Sequence, residues 1–331
     1  MSVTVQTNST PVSRSRIVAA FLAIYVIWGT TFLAIRIAVE TIPAFMMAGL
    51  RFLLAGGVML LVLLARGGSF PTLRHWRSAV IAGGLMLVTG IGLVSFAEQR
   101  IPSALAALMV ATNPIWICLF EWLIFRGKRP GIQTLVGLAF GFAGAVLLFA
   151  PALRTDSGHN DLVGMAIVAV GAISFALGSL YSRRAVLPED GRMSTAIEMT
   201  AGGVLLLILS VLTGEPARLN VAAVSTRSLL ALAYLIVFGS IIAYTAYLWL
   251  LKTVEPAKVS TNFYVNPVIA VFAGWLLGGE EVTVQMLIAT AVILLGVAVI
   301  NIKLPSRDRA VQGSSGVDDA YGQVKERQTT S

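Results

Sequence analysis

The sequence predicts an all-α integral membrane protein, with ten transmembrane helices arranged as two inverted five-helix repeats. Three observations lead there. Of 331 residues, 57% are hydrophobic and only 12% charged, about half the charge of an average soluble domain, and the mean hydropathy is +0.85. The apolar residues form ten runs near the roughly 20 residues that span a bilayer. An Asn-Pro pair in the fourth run, Asn113-Pro114, returns in the ninth as Asn266-Pro267.

The runs cover 17–39, 44–65, 76–97, 102–124 and 131–150, then 161–181, 193–213, 228–251, 257–277 and 283–302. They define a first repeat at 17–150 and a second at 161–302. Residues 1–16 and 303–331 are polar tails, expected to be disordered and cytoplasmic. The first run is long for a signal peptide and no small-x-small cleavage site follows, so it reads as a permanent span. With the N-terminus inside, 18 Lys and Arg residues fall on the inner side. Five fall outside (Arg36, Arg100, Arg154, Arg218 and Arg227), and Arg51 alone stands within a span. The preference of Lys and Arg for the cytoplasmic side then places both termini inside a bacterial cytoplasmic membrane.

The formal charge of +8 is therefore a topology signal. No basic patch interleaved with aromatics points to nucleic acid. Cys118 is the only cysteine, which excludes an internal disulfide and a thiolate metal cage. His75 and His159 fall in polar connections on opposite sides, so no metal site, cofactor or catalytic residue is expected. No GxxxxGK[ST] segment is present to bind ATP.

The Asn-Pro pairs stand 153 residues apart, and at that offset Trp122 meets Trp275. "LVGLAFGFAGAV" (135–146) resembles "LIATAVILLGVA" (287–298), and "LLAGG" (53–57) matches "MTAGG" (199–203). "WGTTFLAIRIA" (28–38) resembles "FALGSLYSRRA" (175–185), setting Arg36 opposite Arg183. Five spans is an odd number, so the second copy enters the membrane upside down. Inverted halves with interrupted helices at their interface are the build of secondary transporters.

These segments, with "YVIWGTTFLAIRIAVETIPAFMMAGLRFLLAGG" (25–57) and the two Asn-Pro helices, resemble the two EamA domains of the drug/metabolite transporter superfamily, bacterial inner-membrane exporters among them. The likeness covers 17–302. It implies a monomer-capable carrier of small metabolites or drugs that works by alternating access. Spans 1, 3, 4, 6, 8 and 9 would line its cavity, with 5 and 10 peripheral. Distant four-helix relatives exchange protons through a Glu in their first helix. Span 1 here has no carboxylate, and span 6 has only Asp161 at its edge. Span 4 ends in Arg126-Gly127-Lys128 where the second half has Gly279-Glu280-Glu281.

Within the spans, a few residues carry chemistry. Arg51 lies roughly 10 Å below the outer surface at 1.5 Å per residue. A mid-span Arg costs about 2.5–3.5 kcal/mol and calls for a partner; it would anchor an anionic substrate, or else satisfy carbonyls or snorkel outward. Pro114 and Pro267 lack the N–H that the carbonyls of Val110 and Phe263 need. Asn113 and Asn266 beside them would bind a polar substrate, with the prolines as hinges, unless the kinks are packing features that neighbours satisfy. Trp28, Trp116, Tyr244, Tyr247 and Tyr264 are candidates to hold an apolar or aromatic ligand; Trp122, Trp249 and Trp275 suit the interfacial belt. Glu198, Glu121 and Glu98 are candidates for proton coupling, because burial opposes carboxylate ionisation. Glu121 has Arg126 within reach as a competing ion pair, and Glu98 has Arg100 or Arg36.

Gly137-xxx-Gly141 permits close helix approach, in a weak homodimer or within a monomer. The reading is an exporter of small organic metabolites or drugs, amino acids or aromatic compounds among them, partnered by its substrate and the bilayer. An uncoupled exchanger, facilitator or importer is the alternative. A channel would show charge rings or a filter loop, and a lipid-modifying enzyme a cluster of His, Asp or Ser at one face; neither is visible.

Overall fold

The computed structural model describes residues 13–99, 106, 109–127, 129–149, 159–278 and 284–301. Arg100, Lys128, Arg154, Gly279-Glu280-Glu281 and both polar tails (1–12 and 302–331) lie outside the described residues, as do the side chains of Asp161 and Trp275. The regular elements described are all helical: α1 (Arg14–Ala38), α2 (Ala44–Ala65), α3 (Leu73–Ala97), α4 (Asn113–Leu123), α5 (Ile132–Phe149), α6 (His159–Arg184), α7 (Gly191–Leu212), α8 (Thr226–Thr253), α9 (Asn262–Gly278) and α10 (Val284–Asn301). Short helical turns occupy Glu215–Arg218, Val221–Ala223 and Pro256–Val259. Among the described residues, six helices are long and apolar enough to cross a membrane: α1, α2, α3, α6 (from Val163), α7 and α8. Their outward faces carry bare Leu22, Leu61 and Leu212, the last 77% exposed. A face of that kind suits lipid rather than water.

Helix ends depart from the sequence expectations in instructive places. Arg14 and Arg16, assigned to a disordered tail, form the first turn of α1. Neither histidine stands in a connection. His159 opens α6, and His75 completes a capping box on α3: its N–H donates to Thr72 Oγ1 (3.4 Å), while its Nδ1 accepts from the Thr72 N–H (3.3 Å).

The Asn-Pro segments also differ from the expected pair of kinks. The chain turns at Ala111-Thr112 and α4 starts at Asn113, so Pro114 sits in a first turn, where a missing N–H costs nothing. In the second half the break falls earlier, at Ser260-Thr261, whose hydroxyls donate to the carbonyls of Ala257 (2.9 Å) and Lys258 (2.7 Å). Pro267 then lies inside α9.

Side-chain contacts define relative helix directions. On α2 and α7, Gly49 lies against Leu207, Leu53 against Gly203 and Gly56 against Thr200, so numbers rise on one helix as they fall on the other. The same antiparallel order joins α5 to α10 (Gly137 to Ile300, Gly141 to Gly296, Gly144 to Ile293) and α3 to α6 (Met86 to Gly178, Gly90 to Phe175). Parallel order joins α1 to α9 through Tyr25–Thr261 and Gly29–Asn266, and α2 to α8 through Arg51–Ser240 and Met59–Thr245. The Gly137 stripe is thus consumed inside the chain: a Cβ at Gly137 would lie 2.4 Å from Ile300.

Among the described residues, two helices contain π-helical turns, Gly84–Gly92 in α3 and Leu235–Tyr244 in α8. Such turns break the regular ladder and often mark functional sites. The α3 turn reaches the cavity described next through Gly90 and Ile91, and the α8 turn holds two of its lining residues from behind.

Candidate functional site

Arg51 occupies the buried face of α2 and is 3% exposed. Its Nε donates to Ser240 Oγ at 2.7 Å, and its guanidinium carbon lies 4.7 Å from the Phe52 ring centre. Among the described residues no carboxylate is within ion-pair distance of it. Gly239, in the π turn of α8, makes the room: a Cβ there would sit 2.8 Å from Arg51 Nη2. The Gly239 carbonyl meanwhile accepts from Trp28 Nε1 at 3.1 Å. One turn of α8 therefore positions both the cation and the indole.

Arg51 and Trp28 line a cavity between the helices together with Asn113 and Asn266, and with Thr31, Phe32, Val110, Phe175 and Phe263. The two asparagines, expected to share a cavity, do so. Each is buried, and each amide Oδ1 lacks a hydrogen-bond partner among the described residues. A buried acceptor left unmet costs about 1–3 kcal/mol, and in an apolar surround it is tolerated where it faces a wet cavity. Val110 and Phe263, each four residues before one of the two prolines, stand in the same wall. The space is only ≈ 90 Å³, enough for a handful of waters.

The wall is aromatic around this polar centre. Trp28 and Phe175 meet edge to face at 6.5 Å, and Phe175 and Phe263 at 5.6 Å. Tyr247 stands behind them, 4.9 Å from Trp28, with its hydroxyl donating to Ser179 Oγ at 2.9 Å. Phe175 was legible in the sequence, since it is the alignment partner of Trp28. Thr31 and Ser240 left no such signal.

Three predicted binding aromatics are placed elsewhere. Tyr264 turns to α5, donating to the Leu138 carbonyl at 3.2 Å, because Gly141 leaves a flat bed for its ring. Trp116 donates within its own helix to Thr112 Oγ1 (3.2 Å) and stacks on Phe120. Tyr244 faces Glu198 and Met86. Helix roles shift accordingly: α2 contributes Arg51 to the cavity, and α8 acts from behind through Gly239 and Ser240.

The carboxylates also separate. Glu121 does not pair with Arg126, which adopts a left-handed φ of 51°. It bridges from α4 to the end of α6, 2.6 Å from Arg184 Nη2 and 3.5 Å from Arg183 Nη1. Glu98 forms no ion pair with Arg36, and among the described residues both its oxygens lack hydrogen-bond partners. Glu198 is fully buried; its Oε1 accepts from Ser182 Oγ at 2.6 Å and its Oε2 from the Tyr244 hydroxyl at 3.5 Å. It lines a second cavity of ≈ 510 Å³ with Trp249 and Lys252, so Trp249 is a cavity residue as well as a belt candidate. At that cavity's rim, slight burial opposes ionisation of Asp190. Its bonds to the Arg192 side chain and N–H outweigh this and hold its carboxyl below the ordinary range.

Among the described residues no three His, Cys, Asp or Glu side chains group as a metal site, and no catalytic constellation is present. A bundle of apolar helices that gathers an arginine, two asparagines and a tryptophan around a cavity between them is built to carry small molecules through a membrane. The chain belongs to the EamA-like transporter family, whose model matches residues 15–150 and 162–302. Among its relatives is the inner membrane transporter YedA of Escherichia coli (strain K12), 42% identical over 86% of this chain and 90% of that protein. The transporter YvbV of Bacillus subtilis (strain 168) is 25% identical over 92% of this chain and 96% of its own length. A solved crystal structure superposes with a TM-score of 0.70 at 24% identity, over 87% of this chain and 97% of that one. At that identity the likeness is one of fold.

Proposed function

We propose that this protein is a secondary transporter of the bacterial inner membrane that exports small organic metabolites by alternating access. Its ten helices act as two inverted five-helix halves, with Arg51, Asn113 and Asn266 binding the substrate. The observation that carries this reading is the cavity itself, to which repeat-mates contribute in pairs: Asn113 with Asn266, Val110 with Phe263, and Trp28 with Phe175. Opposed directions of the mates α2 and α7, and of α5 and α10, support the inversion. The location follows YedA, whose name places that relative in the inner membrane.

The polar centre suits an anionic or zwitterionic solute with an apolar or aromatic body. The guanidinium takes the carboxylate, the asparagine amides take polar groups, and Trp28, Phe175 and Phe263 flank the rest. At ≈ 90 Å³ the cavity is below the 300 Å³ or more typical of ligand pockets, so the walls must part to admit such a solute, as alternating access requires.

An export and resistance screen in overproducing cells would identify a substrate, and counterflow in proteoliposomes would test the mechanism. Preloading the vesicles should accelerate uptake, and Arg51→Gln should weaken the apparent affinity for an anionic substrate about tenfold or more, as expected for loss of a charged hydrogen bond worth about 1.5–3 kcal/mol. Uptake indifferent to preloading would refute the carrier, and unchanged affinity in Arg51→Gln the anchor.

A further inference from the structure

Glu98, Glu121, Glu198 and Glu215 are shielded from solvent, and their surroundings differ in kind. Glu215 accepts from the backbone N–H groups of Phe45 (3.1 Å) and Met46 (2.8 Å) at the start of α2. Those donors cannot accept a proton in return, so they suit only a carboxylate. Glu121 is committed to two arginines. Glu98 has no hydrogen-bond partner among the described residues and lines neither cavity described above. Glu198 alone combines complete burial, hydroxyl partners and a place in a cavity wall. A hydroxyl can donate to a carboxylate or accept from a carboxylic acid, so Ser182 and Tyr244 can satisfy either charge state.

Tyr244 connects this group to the substrate cavity. Its hydroxyl is shared between Glu198 Oε2 (3.5 Å) and Met86 Sδ of α3 (3.6 Å). It is the last residue of the α8 π turn, in which the Gly239 carbonyl holds Trp28 and Ser240 holds Arg51. The Tyr244 ring also lies 6.2 Å from Phe52, over which the Arg51 guanidinium sits. We propose that Glu198 is the proton-binding site that drives this transporter, and that the π turn of α8 relays its protonation state to Arg51. This rests on the reading of the chain as a secondary carrier.

When Glu198 is ionised, the Tyr244 hydroxyl donates to it. When Glu198 takes up a proton from the adjoining cavity, that hydroxyl can accept from it and turn its own O–H toward Met86 Sδ, and the end of the π turn moves with it. The charged and titratable groups around it are few. From α8, Tyr244 and Lys252 act on it; α6 presents Ser182, and its terminal Arg183 and Arg184 are held by Glu121. At the start of α7, Asp190 and Arg192 pair with each other. α3 offers Met86, and Arg51 of α2 is held by Ser240.

Infrared difference spectra of the full-length protein in lipid vesicles, recorded across a pH series, test this without a substrate. The wild type should show the C=O stretch of a buried carboxylic acid that disappears as pH rises, and Glu198→Gln should lack it. Ser182→Ala and Tyr244→Phe, which keep the carboxyl, should move the midpoint by about one pH unit. A band that survives Glu198→Gln, that Glu98→Gln removes instead, or that keeps its midpoint in both hydroxyl variants overturns the site. For the relay, the fluorescence difference between wild type and Trp28→Phe should titrate with the same midpoint and become flat in Glu198→Gln. A Trp28 signal indifferent to pH in the wild type overturns it. Neither readout involves transport, so failure here leaves the counterflow result standing, and the reverse.

Discussion

Gly57 and Gly203 are mates in the "LLAGG" and "MTAGG" segments, yet adding one methyl to each should have opposite effects. A Cβ at Gly203 would lie 2.4 Å from the Leu53 backbone nitrogen and 2.8 Å from its Cα. Backbone cannot swing aside as a side-chain tip can, so α2 and α7 must part by about 1 Å, which forfeits a quarter to a half of each dispersion contact at the seam. Overpacking of this kind costs about 1–3 kcal/mol. With rigid backbone as the obstacle the upper end applies, offset by about 1 kcal/mol of helix propensity gained by Ala over Gly. The net loss is about 2 kcal/mol, a fall in Tm of roughly 4–8 °C. At Gly57 a Cβ meets nothing within 4 Å, so only the propensity gain remains and Tm should hold or rise by about 2–4 °C. Thermal unfolding of Gly203→Ala and Gly57→Ala in one detergent checks both. A Gly203→Ala protein as stable as Gly57→Ala would refute the close antiparallel seam between these helices.

Asn113→Ala and Asn266→Ala should each leave Tm unchanged or raise it, because each removes an unmet buried acceptor. Counterflow of a polar substrate should nonetheless fall about tenfold in the same proteins, and a parallel loss of stability would mark the amides as structural. Pro267→Ala restores a backbone donor inside α9 and should slow turnover at unchanged affinity, whereas Pro114→Ala, in a first turn, should change the rate by less than about twofold. Equal rates in both variants would remove the hinge from α9.

Much of the site was readable because it depends on residue type against a lipid solvent. An Arg, two Asn-Pro pairs and a Trp at mid-span have few tolerable places, and Arg51, Asn113, Asn266 and Trp28 do meet in one cavity. Aromatics were less readable, because a ring in an apolar helix serves packing and binding equally well. Tyr264 went to α5 because Gly141 happens to stand opposite its ring. Glu121 was misjudged for a related reason: Arg126 is near in sequence, but Arg183 and Arg184 arrive from another helix at shorter range.

Composition and periodicity by themselves determined that the chain is helical, membrane-embedded and internally duplicated, since burial in hydrocarbon demands internally satisfied backbone and about 20 apolar residues per crossing. Tertiary structure alone decided where the two helix breaks fall, that α3 and α8 carry π turns, and which carboxylates are held by arginines, backbone N–H groups or hydroxyls. Those outcomes depend on what a neighbouring helix presents at one level of the bundle, and a linear pattern holds no record of that.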